Sequence, residues 1–193
     1  MIRESNFPLI SGYISLDLVN TEVVRNGTRY DLLTKSEDVI NWVNTLLEEN
    51  ILQTKQISEN VEEWASQVLP TLREIRSFLR KGYESLADGE DLSEGWINYL
   101  ETVIEKAPFT YKVENKELIP VPIGQPSNVL ISLVALDAIK LYTRNKLSSI
   151  HRCANPSCVL LFIDTRGRRK WCSMKICGNR EKVTRFQRRQ KQE

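Results

Sequence analysis

Residues 151–189 read HRCANPSCVLLFIDTRGRRKWCSMKICGNREKVTRFQRR, and all 4 cysteines of the 193-residue chain lie within them. They fall in two pairs, Cys153-ANPS-Cys158 and Cys172-SMKI-Cys177, with thirteen residues between the pairs. Two short loops that each end in a thiol hold a tetrahedral zinc ion naturally, and Pro156 stiffens the first loop. A closed set of four protein ligands leaves no position for water, so such a site is structural and not hydrolytic. A module of this size has little apolar core of its own, so the metal supplies the missing stability. Between the pairs, VLLFIDT suits a strand that carries Leu160 and Phe162 on one face and Leu161 and Ile163 on the other.

Other thiol chemistries compete with zinc. Two disulfides need an oxidising compartment. An iron–sulfur cluster also takes four thiolates, although this spacing beside a basic helix favours zinc. A redox pair is usually C-x-x-C, a pattern absent from the chain. His151 stands two residues before Cys153 and could replace a thiolate, but with four cysteines at hand it reads as a bystander.

Basic residues crowd both sides of the second pair. Arg166, Arg168, Arg169 and Lys170 precede Cys172; Arg180, Lys182, Arg185, Arg188 and Arg189 follow Cys177. From Arg180 onward the chain is good helix material, and Val183 and Phe186 are spaced to pack on the zinc module. Residues 151–193 hold 12 Lys/Arg against 3 Asp/Glu, whereas residues 1–150 hold 15 against 22, so the net charge of +2 conceals a basic end on an acidic body. A solvated tail shows the same charge layout. Bracketing a metal site makes an ordered, phosphate-neutralising surface the stronger expectation.

The body reads as mainly α-helical. Helices are expected through SLDLVNTEVV before an Asn26-Gly27 turn, from a Ser36 cap to about Asn50, and across 58–87. In the last of these Asn60 and Glu63 are placed as a capping box and Pro70 marks a restart or kink. A shorter helix follows Ser93. Phe109, Tyr111 and Val113 alternate with polar residues before a turn at Glu114–Lys116, which predicts a β-hairpin with Leu118–Val121. Ser127 then caps NVLISLVALDAIKLYTRN, apolar almost all the way round and therefore central. Asp137 within it is either on a narrow exposed stripe or a buried carboxylate paired with a base such as Arg144 or with a ligand. The joint at Leu147–Arg152 is short and poor in Gly and Pro, so the zinc module should abut the body and not swing from it.

The run WCSMKICGNR resembles the CGNR-type zinc finger, named for the tetrapeptide Cys177-Gly178-Asn179-Arg180, and the first cysteine pair followed by LFIDT fits the same family. SLDLVNT, Gly27, Tyr30-Asp31-Leu32-Leu33 and a helix carrying Trp42 are similar to the ABATE domain that usually precedes this finger. The resemblance implies a helical domain over 1–147, a finger over 148–193 and a stress-responsive transcription regulator. It implies Cys153, Cys158, Cys172 and Cys177 as ligands of one structural Zn²⁺. The expected architecture is an N-terminal orthogonal helical domain with a small β-hairpin, then a short β-hairpin plus basic helix. RGRRK is shorter than the arginine-rich loop usual in the family.

DNA is the expected partner. The helical domain is expected to sense a small molecule or to form a homodimer, with Asp17, Asn20, Thr21 and Arg25 as candidates for a polar pocket; the plainer reading is that Asp17 and Asn20 brace local backbone. An RNA- or protein-binding zinc module, or an N-terminal enzyme merely stabilised by the finger, are the alternatives. One histidine, no cysteine outside the zinc set, no glycine-rich phosphate loop and no G-x-S-x-G argue against an enzyme. With no apolar run long enough to span a bilayer and no signal-peptide pattern at the N-terminus, a cytoplasmic protein is expected.

Overall fold

The computed structural model describes residues 7–57 and 60–190, and for residues 184–189 the backbone alone. In chain order the elements are α1 (Ile14–Val19), β1 (Glu22–Arg25), β2 (Thr28–Asp31), α2 (Ser36–Glu48), α3 (Val61–Ala87), α4 (Trp96–Glu105), β3 (Phe109–Glu114), β4 (Glu117–Pro122), α5 (Pro126–Thr143), β5 (Ile150–Arg152), β6 (Leu161–Ile163) and α6 (Asn179–Gln190). The strands form three separate antiparallel hairpins, one more than the two expected from sequence, and the helices carry the rest, so the protein is mainly α.

The first helix is shorter than its expected run. It stops at Val19, and Glu22–Arg25 pairs as a strand with Thr28–Asp31, Val23 opposite Tyr30. Two β-branched valines favour the pleated surface. Asn26 and Gly27 sit at φ 51° and 79°, the left-handed pair of a two-residue hairpin turn. Asn115 and Lys116 turn the β3–β4 hairpin in the same way at φ 49° and 65°.

Helix boundaries also shift. Ser36 is the first helical residue and not the cap; the Asp38 carboxylate accepts the Lys35 and Thr34 N–H groups at 3.1 and 2.8 Å in its place. Ser127 likewise lies inside α5, which opens on Pro126, and α4 follows Gly95 at φ 82° instead of a Ser93 cap. The Asn60 side chain donates to the Glu63 side chain, so no capping box forms there. Helix α3 continues through Pro70 for 27 residues. Its apolar face, Val68, Leu72, Ile75 and Leu79, is buried on both sides of the proline, and tertiary packing outweighs the lost hydrogen bond.

Helix α5 is the central element, in contact with α1, α3 and α4, and Leu130, Val134, Ala135 and Ala138 are fully buried. Neither reading of Asp137 holds as stated: it is largely buried, and its partner is Ser15, not Arg144. Ser15 donates its backbone N–H and its hydroxyl to Oδ2 at 2.9 and 2.6 Å, and Tyr83 donates to Ser15 Oγ at 2.9 Å. Asp137 thus caps the start of α1 from another helix. Burial pushes its pKa up, against the pull of the Ser15 bonds.

One core extends from the helical body into the C-terminal segment, taking in Leu147, Ile150 and Leu161. Strand β6 is the seam. Leu161 and Ile163 face that core, while Leu160 and Phe162 join a second cluster with Val23, Cys153, Cys172 and Cys177. This is the alternation expected for VLLFIDT.

Candidate metal centre and nucleic-acid interface

The β5–β6 hairpin brings the first cysteine pair to one end of the seam, with Ile150 opposite Ile163 and Arg152 opposite Leu161. The second pair brackets a wide helical turn in which the Cys177 and Gly178 N–H groups both donate to the Ser173 carbonyl at 3.1 Å. The five-residue span of the Gly178 bond marks a π-type turn, a form common at functional sites. Ser173 Oγ caps it by accepting the Ile176 N–H at 3.0 Å. Helix α6 then starts at Asn179.

All four sulfurs lie within 4.8 Å of one another, and Cys158 Sγ is 3.8 Å from Cys172 Sγ. A tetrahedron with Zn–S bonds of about 2.3 Å has an edge of about 3.8 Å, whereas a disulfide closes to about 2.05 Å. The four thiols are free of disulfides. Donors aim at the sulfurs as a thiolate set requires: the Cys172 N–H reaches Cys153 Sγ at 3.4 Å, and Asn155 Nδ2 lies 3.8 Å from Cys177 Sγ. The cluster fits one structural zinc ion held by four protein ligands.

Thiols this close do not all ionise unaided. The neighbouring Cys158 and Cys172 groups hold the Cys153 thiol far below its ordinary value. The Cys153 sulfur in turn pushes Cys158 and Cys172 up, and burial pushes up Cys177. A divalent cation at the centre reverses this by favouring every thiolate. His151 is exposed and lies outside the sulfur cluster, its ring 5.9 Å from that of Phe162.

Arg166, Arg168, Arg169 and Lys170 are exposed in the loop before Cys172, and Arg180 and Lys182 are exposed in the first turn of α6. Asp164 shapes the loop by accepting the Arg166 and Arg169 N–H groups. Arg169 is also a brace: its guanidinium stands 4.5 Å from the centre of the Phe162 ring and donates to the Cys172 carbonyl. Val183 does not pack on the zinc module, since it is 55% exposed. The side chains of Arg185, Phe186, Arg188 and Arg189 lie outside the described residues.

The family profile of the CGNR zinc finger matches residues 150–190. That of the ABATE family, described as "Putative stress-induced transcription regulator", matches residues 12–145. The chain belongs to the ABATE family and ends in a CGNR zinc finger. No curated protein matches it.

In this ABATE domain the polar residues of the SLDLVNT run are buried connectors. Asp17 accepts three backbone N–H groups, from Ile10, Ser11 and Gly12, at 3.0–3.2 Å; burial pushes its pKa up to about 6 while those bonds pull the other way. Asn20 bonds to both backbone groups of Leu161 at 3.0 Å. Thr21 donates to the Leu18 carbonyl and accepts from Arg76. Arg25 is exposed at the end of β1. Internal bonds thus occupy all three side chains: Asp17 braces local backbone, whereas Asn20 and Thr21 reach the distant Leu161 and Arg76.

Two buried arginines of α3 hold this junction, Arg76 within the ABATE domain and Arg80 across to the finger, and an amphipathic helix pattern singles out neither. Arg76 grips Asp31 with two parallel bonds of 2.6 Å. Arg80 reaches the carbonyls of Val19 and Val159 and pairs with Glu22 and Glu84. Arg152 of the finger pairs with Asp88 at 2.6 Å. An open groove of about 590 Å³ follows this junction, lined by Glu22, Arg29, Arg80, Glu84 and Arg152 among others. No helix of the described residues is long and apolar enough to cross a membrane.

Proposed function

We propose that this chain is a non-catalytic, cytoplasmic DNA-binding transcription regulator whose zinc ion orders a basic surface against the phosphate backbone. The observation that carries the reading is the closeness of two cationic segments to successive zinc ligands: only Trp171 separates 166–170 from Cys172, and only Gly178 separates Cys177 from α6. With Cys172 and Cys177 on one metal, the two segments share a rigid base and can release counterions together. The body lacks this charge, so contact is through the finger. The ABATE domain supplies the regulatory half, small-molecule sensing or pairing of two copies.

Duplex DNA binding followed by fluorescence anisotropy across a salt series tests this. Affinity should fall linearly on a log–log plot, and Arg168→Glu together with Lys182→Glu should weaken binding at least tenfold and flatten the slope. Binding that ignores both salt and these charges would overturn the reading. Preference for a protein or for single-stranded RNA would move the same surface to another partner.

A further inference from the structure

Neither metal binding nor phosphate neutralisation uses Trp171, Met174 or Gly178. Trp171 and Met174 line a groove of about 540 Å³ beside the zinc centre, together with Arg168, Arg169, Lys170 and Ser173. Its walls are apolar where surface is ordinarily polar. Met174 is 49% exposed, and Trp171 is half-buried against the cysteine cluster. Gly178 makes the pairing possible: a Cβ there would stand 2.5 Å from Met174 Sδ and 3.4 Å from Trp171 Cδ1. The groove is held firmly. Cys172 and Cys177 are both metal ligands, Ser173 caps the turn, and Arg169 is fixed to Phe162 and the Cys172 carbonyl.

The lining carries three cations and no acid. An apolar slot with an indole wall and a cationic rim complements a flat ring attached to a phosphate. We propose that this groove takes one base of a DNA strand, unstacked from its neighbours, with the adjoining phosphates on Arg168 and Lys170. The inference rests on the DNA-binding reading above and adds to it how the finger distinguishes strand states. Stacking on an aromatic wall tolerates any base, so it selects unpaired over paired DNA more than it selects sequence.

Intrinsic fluorescence tests it in the full zinc-loaded chain. Trp42, Trp64 and Trp96 are only 0%, 4% and 2% exposed, so quenching by a bound strand reports on Trp171. The probes are a dye-labelled oligothymidine, the same strand paired with oligodeoxyadenosine, and that duplex with one unpaired thymidine. By anisotropy, all three should bind at low salt, the unpaired strand and the bulged duplex about tenfold tighter than the paired duplex and with quenched tryptophan emission. Met174→Ala and Gly178→Ala should erase that preference with zinc content unchanged. Trp171→Phe should lose the optical signal yet keep the preference. Equal affinity for all three probes with unchanged emission overturns the groove assignment and leaves DNA binding standing. Tighter binding of oligouridine than of oligothymidine also overturns it, in favour of RNA. No binding to any probe at low salt removes the DNA reading itself.

Discussion

Asn20 and Leu161, 141 residues apart in the chain, are joined as two strands would be: Asn20 Nδ2 donates to the Leu161 carbonyl and Oδ1 accepts the Leu161 N–H, both at 3.0 Å. The side chain of the ABATE domain stands in for a neighbouring strand and completes the inner edge of β6. Asn20→Ala leaves two buried backbone groups without partners, at a cost of about 2–4 kcal/mol. Asn20→Asp should cost more, because a carboxylate faces the Leu161 carbonyl and the donor is lost. Urea unfolding of the zinc-loaded protein measures both; an Ala variant within experimental error of the parent would contradict the clamp.

The Arg76–Asp31 fork should dominate the acid limb of stability. Arg76 has a side-chain exposure of 3%, so Asp31→Asn removes its nearest carboxylate, leaves only Glu22 at 3.8 Å to offset a buried charge, and should cost about 3 kcal/mol near neutral pH. Burial alone would raise the Asp31 pKa, but bonds from Arg76 and the Leu33 N–H and the charges of Arg76 and Arg73 hold it below the ordinary value. A depressed carboxylate pKa gives stability that is complete above the unfolded value, about 3.9, and is lost as pH falls through the folded value. The stability gap between the parent and Asp31→Asn should therefore close on acidification below about pH 4.

Asp17 should act in the opposite direction. Its folded pKa of about 6 lies above the ordinary 3.8, so the folded state binds the proton first. Its contribution improves as pH falls from above 6 toward 4. Removing the titration by Asp17→Asn should make unfolding free energy rise more steeply with pH over that window than in the parent. An unchanged slope would contradict the shift.

Gly82 is a helical glycine that should not be replaced. Alanine ordinarily gains about 1 kcal/mol in a helix interior. Here a Cβ would lie 2.5 Å from Trp96 Nε1, inside a buried contact where the indole has little room to move. Gly82→Ala should lower the melting temperature, by an amount equal to about 1–3 kcal/mol; a rise would show that α3 and α4 are free to separate.

What sequence reading reached and missed follows the range of the interactions. The zinc ligands were legible because four identical residues at matched spacing need no knowledge of the fold. The β3–β4 hairpin and the two faces of β6 were legible from alternation, which is local. The end of α1 was missed because apolar spacing in SLDLVNTEVV fits a helix, whereas Val23 and Val24 pair with residues across the Asn26-Gly27 turn. The bonds of Asp137, Asn20, Arg76 and Arg80 were not legible, since their partners lie between 45 and 141 residues away. A polar residue in an apolar run signals a buried bond but not its partner, which is why a pocket stays open beside the plainer bracing reading of SLDLVNT.

On the proposed reading, one metal ion organises the basic face. Titrating a chelator into the zinc-loaded chain, while following released zinc and duplex DNA affinity in the same samples, tests it most directly. The expected result is one zinc per chain and a loss of DNA affinity in step with its release, restored on adding zinc back. DNA affinity that survives complete removal of the metal would contradict it.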